Sequence, residues 1–283
     1  MDDDLLAELR GVAESLVAEA AEFVRARRAE LVDGLGRTDR AAVRTKSTPT
    51  DPVTLADTET ERLVRDRLAE CRPDEPVLGE EGGGEDSGVG RVRWVVDPID
   101  GTVNFVYGIP AYAVSLAAQV DGVSVAGAVA DVVSGDVYSA ALGRGAQVTT
   151  AVGGRRRLRC NDVDDLSMAL VGTGFGYAPQ RRAVQSAVLA GILPQVRDVR
   201  RIGSAALDLC MVAAGRLDAH YEHGLSIWDW AAAALIAAEA GAVVVTPDEQ
   251  DGPGAQLLIA AAPGVAAQLT AALDRLGVLG PID

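Results

Sequence analysis

Histidine is nearly absent from this chain. His220 and His223 are the only two in 283 residues, so a histidine-rich metal centre is not expected. The three cysteines, Cys71, Cys160 and Cys210, are odd in number, far apart and without CxxC spacing. They indicate neither a disulfide framework nor a zinc site, and structural roles are expected for all three. Basic residues are outnumbered, 26 Lys and Arg against 41 Asp and Glu, for a net charge of −15. That balance repels phosphate backbones and anionic lipids, which argues against nucleic-acid and membrane partners. The opening MDDDLLAELR lacks the basic and apolar regions of a secretory signal, and no uninterrupted apolar stretch reaches membrane-spanning length. The expected compartment is therefore the cytoplasm. No GxSxG elbow, GxGxxG fingerprint, Walker A run or HExxH pair occurs. Without a convincing nucleophile–base pair, elimination favours metal-assisted hydrolysis with no covalent intermediate.

What is present is a globular composition, 48% hydrophobic, in which Ala, Val and Gly are plentiful and aromatics reach only 4%. Residues 4–30 carry apolar positions at helical spacing, and 31–50 read as a loop or irregular hairpin. A second helix is expected from Thr54 to Glu70, ended by Pro73. Short strands are expected at 76–78 and 92–96, the latter stopping at Asp97, and residues 101–106 read as the start of a short helix. From Tyr112 to Val148, apolar runs alternate with turns at Asp121-Gly122, Ser134-Gly135 and Gly143, the pattern of an antiparallel meander. Beyond it, strands at 168–173, 197–202, 217–221, 242–246 and 256–261 alternate with helices near 179–191, 204–214, 228–240 and 264–276. The expected organisation is an α+β lobe over 1–150 and an α/β lobe over 151–283, packed as one compact unit.

Carboxylates recur where strands and helices begin or end. In Asp97-Pro98-Ile99-Asp100-Gly101-Thr102-Val103-Asn104-Phe105, a buried strand runs into two acids. Such acids are costly together unless a hard cation neutralises them, and Mg²⁺ takes carboxylate, carbonyl and water oxygens. The carbonyl of Ile99 is exposed by the same turn, and N–H groups beginning at Gly101 and Thr102 would face an anion. In Gly79-Glu80-Glu81-Gly82-Gly83, one acid could hold metal and the other orient or deprotonate water, although a solvated charged turn is the better account of this motif taken alone. Asp229 opens an Ala-rich helix between two of the chain's three tryptophans; helix capping is the simpler account of it. Capping also accounts for Asp51 and Asp57 around the second helix's start, and for Gly203-Ser204-Ala205 at another helix start.

DPIDGTVNF and WDWAAAALIAAEAGA, in this order and with the other segments from Lys46 to Gly241, resemble the inositol monophosphatase family. The resemblance implies a layered α/β sandwich (αβαβα, like fructose-1,6-bisphosphatase), a homodimer, two or three Mg²⁺ ions and sensitivity to lithium. It implies that Glu80, Asp97, the Ile99 carbonyl, Asp100 and Asp229 hold metal. It further implies that Glu80 and Thr102 position the attacking water, with Asp57 orienting the threonine. Gly101 and Thr102 would then meet the phosphate, and Gly203, Ser204, Ala205 and Glu222 the alcohol portion. Lys46 and Asp51 match a mobile loop near a weaker metal. Tyr107 and Ser204 depart from many relatives, which bears on the leaving group and leaves the metal set intact. The implied substrate is inositol 1-phosphate or a related polyol monophosphate. Histidinol phosphate is the alternative, since the resemblance extends to histidinol-phosphate phosphatases of the same fold family; Glu222 suits an inositol hydroxyl or a cationic histidinol amine alike, and fructose 1,6-bisphosphate and 3′-phosphoadenosine 5′-phosphate are further alternatives. A non-catalytic binding protein would be expected to lack part of this set.

Overall fold

A computed structural model describes residues 2–31, 43–45, 52–84, 88–247 and 257–282. Helix α1 (Asp3–Leu31) buries Leu6, Leu9, Ala13, Leu16, Val17, Ala20 and Val24, spaced three and four apart, along one stripe. Strands β1 (Val43–Thr45) and β2 (Pro52–Thr54) pair antiparallel; β1 falls within the stretch 31–50 expected as a loop or irregular hairpin, and β2 lies beyond it. Helix α2 (Leu55–Cys71) follows at once.

The first sheet contains β3 (Val77–Gly79), β4 (Val92–Asp100), β5 (Ala113–Val120), β6 (Val123–Asp131), β7 (Val137–Ala141), β8 (Ala146–Thr149) and β9 (Arg155–Arg157) in sequence order. Only β3–β4 pair in parallel. The expected meander is present, with Asp121 and Gly122 both at positive φ between paired Val120 and Val123. Strand β9 continues the sheet past the division expected near residue 150. Helix α3 (Thr102–Tyr107) leaves the end of β4.

The second sheet has the order β11-β10-β12-β14-β13, built from β10 (Leu170–Thr173), β11 (Asp198–Arg200), β12 (Ala219–His223), β13 (Val243–Val245) and β14 (Leu257–Ala261). Strands β11, β10 and β12 are parallel, and β14 is antiparallel to both of its neighbours. The remaining helices are α4 (Pro179–Ile192), α5 (Ala205–Ala213), α6 (Ile227–Glu239) and α7 (Pro263–Arg275).

Period-two alternation separates the layers. Val95, Ala117 and Val129 face α5 and α6, while Trp94, Val96, Leu116 and Ala128 face α1 and α2. On β14, Leu258 and Ala260 face α5 and α6, and Leu257, Ile259 and Ala261 pack with α4 and α7. The layers thus run helix, sheet, helix, sheet, helix, which is the expected sandwich. The Ala-rich stretch of α6 lets it lie close to the first sheet: a Cβ on Gly127 would sit 3.0 Å from the Ala232 Cβ. Small side chains here trade buried area for close approach, which fixes the position of the α6 N-terminus carrying Asp229.

Candidate active site

Strand β4 does not stop at Asp97, as the sequence suggested, but continues to Asp100 through an irregularity. Asp97 pairs with Ser115 and Asp100 with Ala113, so β4 carries one extra residue between them. Pro98 lacks an N–H for the ladder, and a bulge is where a strand admits it. The bulge turns Asp97 and Asp100 to a common point, where Asp229 of α6 meets them. One carboxylate oxygen from each lies within 4.8 Å of the others. Asp97 and Asp100 are buried and Asp229 is half-buried. Burial pushes all three carboxyls up, and mutual repulsion and the nearby charge of Glu80 add to this. Asp100 rises to about 6. A compact all-oxygen donor set whose charges oppose one another fits Mg²⁺.

Each acid is held by its own device. Oδ1 of Asp97 accepts the Ile99 N–H at 3.0 Å. Oδ2 of Asp100 accepts from the Ser204 hydroxyl at 2.6 Å and from the Ala206 N–H at 2.7 Å. Ser204 was expected at the substrate's alcohol portion; it lines the pocket, but its buried hydroxyl is given to Asp100. Asp229 caps its helix, with Oδ2 accepting the Ser226 N–H at 2.6 Å, and also joins the acidic group. The capping account and the metal account therefore describe the same side chain.

Asp57 likewise serves as a cap and as a site residue. Oδ2 accepts the N–H and hydroxyl of Thr54 at 2.8 and 2.6 Å. Oδ1 lies 3.0 Å from the Thr102 hydroxyl, which is also 3.0 Å from the Ile99 carbonyl. Complete burial raises Asp57 to about 7. Gly101 joins β4 to α3 at φ 96°, and a Cβ there would meet the carbonyls of Ala111 and Gly203 at 3.0 Å. Asn104 ties the same corner together, donating to Ala111 and Ile202 carbonyls at 2.7 and 2.9 Å.

Glu80 lies just beyond β3, outside the tight group of three, and adds to the upward push on Asp57, Asp97, Asp100 and Asp229. Its turn is fixed by Glu61 of α2, which sequence reasoning missed. The Glu61 carboxylate is buried, accepts N–H groups of Glu81 and Gly82 at 2.7 and 2.9 Å, and pairs with Arg65 at 2.8 Å. Arg65 in turn donates to the Val77 and Gly83 carbonyls. Glu61 and Arg65 stand four apart, an ordinary surface pair by spacing, and only the fold reveals the contact with residues 79–83.

A cavity of about 310 Å³ opens beside the acids. Gly101, Gly203, Ser204, Ala205, Glu222 and Asp229 line it. It lies past the C-terminal ends of β10, β11 and β12, where neighbouring connections diverge to opposite faces, the usual ligand position in such sheets. Lys46 and Asp51 lie outside the described residues. Cys210 is buried as expected, whereas Cys71, at the end of α2, is exposed.

The model of the inositol monophosphatase family matches residues 5–276. The chain belongs to the inositol monophosphatase family. It is 66% identical over 282 residues to a protein of Mycobacterium leprae named inositol-1-monophosphatase, covering 97% of this chain and 96% of that one. A solved structure of Mycobacterium tuberculosis SuhB is similar with a TM-score of 0.81 and 59% identity, covering 96% of this chain and 98% of that one. A relative in Pasteurella multocida, 37% identical over 76% of this chain and 78% of that protein, carries another name, Nus factor SuhB. With inositol monophosphatase family relatives this similar named as phosphatases, the chain's enzyme class is phosphatase. Among the described residues, no helix is long and apolar enough to cross a membrane.

Proposed function

We propose that this protein hydrolyses inositol 1-phosphate or a related polyol monophosphate, using water activated at Mg²⁺. The observation that carries the reading is the convergence of Asp97, Asp100 and Asp229 within 4.8 Å beside an open cavity. Those residues, the Ile99 carbonyl and Glu80 would hold two or three ions. When bound, Mg²⁺ lowers the pKa of a coordinated water, polarises the phosphate and stabilises the leaving oxygen.

The chain's own groups do the positioning. Thr102 has one hydroxyl proton; given to ionised Asp57, it leaves the oxygen lone pairs to accept from water, and Glu80 stands ready to take a proton. The backbone N–H groups of Gly101 and Thr102 would meet the phosphate, and the cavity wall at Gly203, Ala205 and Glu222 would meet the alcohol portion. We place the boundary between the contributing lobes just past β9, beyond the division expected near residue 150, with both lobes needed for one site.

Phosphate release tests this reading on inositol 1-phosphate, histidinol phosphate, fructose 1,6-bisphosphate and 3′-phosphoadenosine 5′-phosphate, each with and without Mg²⁺. A Mg²⁺-dependent preference for the inositol ester is expected. Preference for histidinol phosphate would reassign the substrate, and metal-independent release would reject the mechanism. Lithium sensitivity, a homodimer and a cytoplasmic location belong to the same proposal. Li⁺ titration of turnover, light scattering and cell fractionation check them separately.

A further inference from the structure

The mechanism leaves unused a buried ionisable group beneath the pocket. His220 of β12 has no exposed surface. Its Nε2 lies 3.4 Å from Oε2 of Glu222, two residues along the same strand and so on the same face. Asp208, one turn into α5, lies over that face and is itself buried. Neither ring nitrogen of His220 nor Oδ1 of Asp208 meets a partner with hydrogen-bond geometry within the protein, so the approach of Nε2 to Glu222 is an ion-pair contact.

Strand β10 is shaped to admit this arrangement. Gly172 is the register partner of His220. A Cβ on Gly172 would come within 2.9 Å of His220 Nδ1 and 3.1 Å of Asp208 Oδ1. A Cβ on Gly174 would fall onto the Glu222 carboxylate, about 2.0 Å from Oε1. Gly172 in β10 and Gly174 just past its end therefore make room for the His-x-Glu of β12. The charged groups acting on His220 are Glu222 from its own strand, Asp208 from α5 and Asp100 from β4. Arg201 acts on Asp208, and the cross-strand partners Gly172 and Ala260 carry no charge. The acidic neighbours raise the imidazole's proton affinity although burial lowers it, and burial pushes Asp208 up to about 8. The Nε2 side of the ring faces the Glu222 carboxylate.

We infer that His220 is a positioning residue for substrate selection: buried beside Asp208 with Nε2 3.4 Å from Glu222, it holds the Glu222 carboxylate on the pocket wall by charge to receive hydroxyl groups of the ester's alcohol portion. This rests on the proposed polyol ester and names the device that selects it. A carboxylate held by a buried partner loses less freedom on accepting a hydroxyl than a mobile one does.

The test compares wild type, H220L, H220Q, E222Q and H220L/E222Q on inositol 1-phosphate and on p-nitrophenyl phosphate, which has no hydroxyls to place. H220L is expected to raise KM for the inositol ester about tenfold, with kcat and the aryl ester changed less than twofold. H220Q keeps an N–H but not the charge and is expected to recover only part of the loss. The double variant is expected to be no worse than E222Q, because both act through one carboxylate. Equal losses on both esters, or additive effects, would overturn the inference. A wild type that shows no advantage for the hydroxylated ester refutes the substrate reading instead. Histidine-selective ¹⁵N NMR then decides the His220–Glu222 link, since the chain has only two histidines. E222Q should move the His220 ring signals and spare those of His223, which bonds the Val278 carbonyl. Unmoved His220 signals would reject the link.

Discussion

Replacing Asp97 by Asn should stabilise the metal-free protein while destroying its response to Mg²⁺. Asp97 is 1% exposed and has two carboxylate neighbours within 4.8 Å. At an effective dielectric constant near 20, each such pair repels by about 3.5 kcal/mol when both are ionised. The acids escape most of this by holding protons, so the realised gain from Asn is nearer about 2 kcal/mol. For a chain of this length that raises Tm by roughly 3–4 °C. The amide oxygen can still accept the Ile99 N–H, so no cap is lost. The sign follows from linkage. A carboxyl raised in the folded state costs stability that grows as pH climbs from its unfolded pKa to its folded one, is complete above the folded value and is absent below the unfolded one. The gain should therefore appear in EDTA at pH 8 and vanish near pH 4. Calorimetry on both proteins, in EDTA and in Mg²⁺, measures it. A variant less stable than wild type in EDTA at pH 8, with the Mg²⁺ shift retained, would refute the reasoning.

The other expectations follow from single contacts. Glu61→Gln should lower turnover about tenfold with KM little changed, because the turn carrying Glu80 loosens, and should cost about 1–3 kcal/mol in denaturant melts. Unchanged turnover would remove Glu61 from that role. Gly101→Ala should destabilise by about 1–3 kcal/mol, since φ is 96° and two carbonyls stand 3.0 Å from the new Cβ. Turnover should fall as pH drops through about 7, where Asp57 gains a proton and stops accepting from Thr102. Bound cations would move that midpoint down, and a Thr102→Val enzyme with the same acid limb would disprove the link.

Much of this site was legible in the sequence because its acids sit at ends of regular elements. DPIDG and WDW place Asp97, Asp100 and Asp229 at a strand end and a helix start, positions that also explain them locally as turn or cap. Local sequence could not choose between cap and ligand, and the structure shows why: Asp57 and Asp229 each use one oxygen for the cap, while Asp57 also accepts from Thr102 and Asp229 also meets Asp97 and Asp100. The strand end at Asp97 was misjudged because Pro98 reads as a terminator, whereas β4 absorbs it in a bulge. What stayed hidden depends on pairing across long separations. Ser204 reaches Asp100, Glu61 reaches Gly82, and Gly172 faces His220 only once two strands are in register. The layers were readable from periodicity, but the short edge strand β9 was not, because three arginines carry no alternation.

A crystal of this protein soaked in Mn²⁺, with its anomalous scattering mapped, tests the central claim most directly. The account expects a peak bounded by the carboxylates of Asp97, Asp100 and Asp229, lost in Asp100→Asn together with turnover. An active enzyme with no peak between those three residues would contradict it.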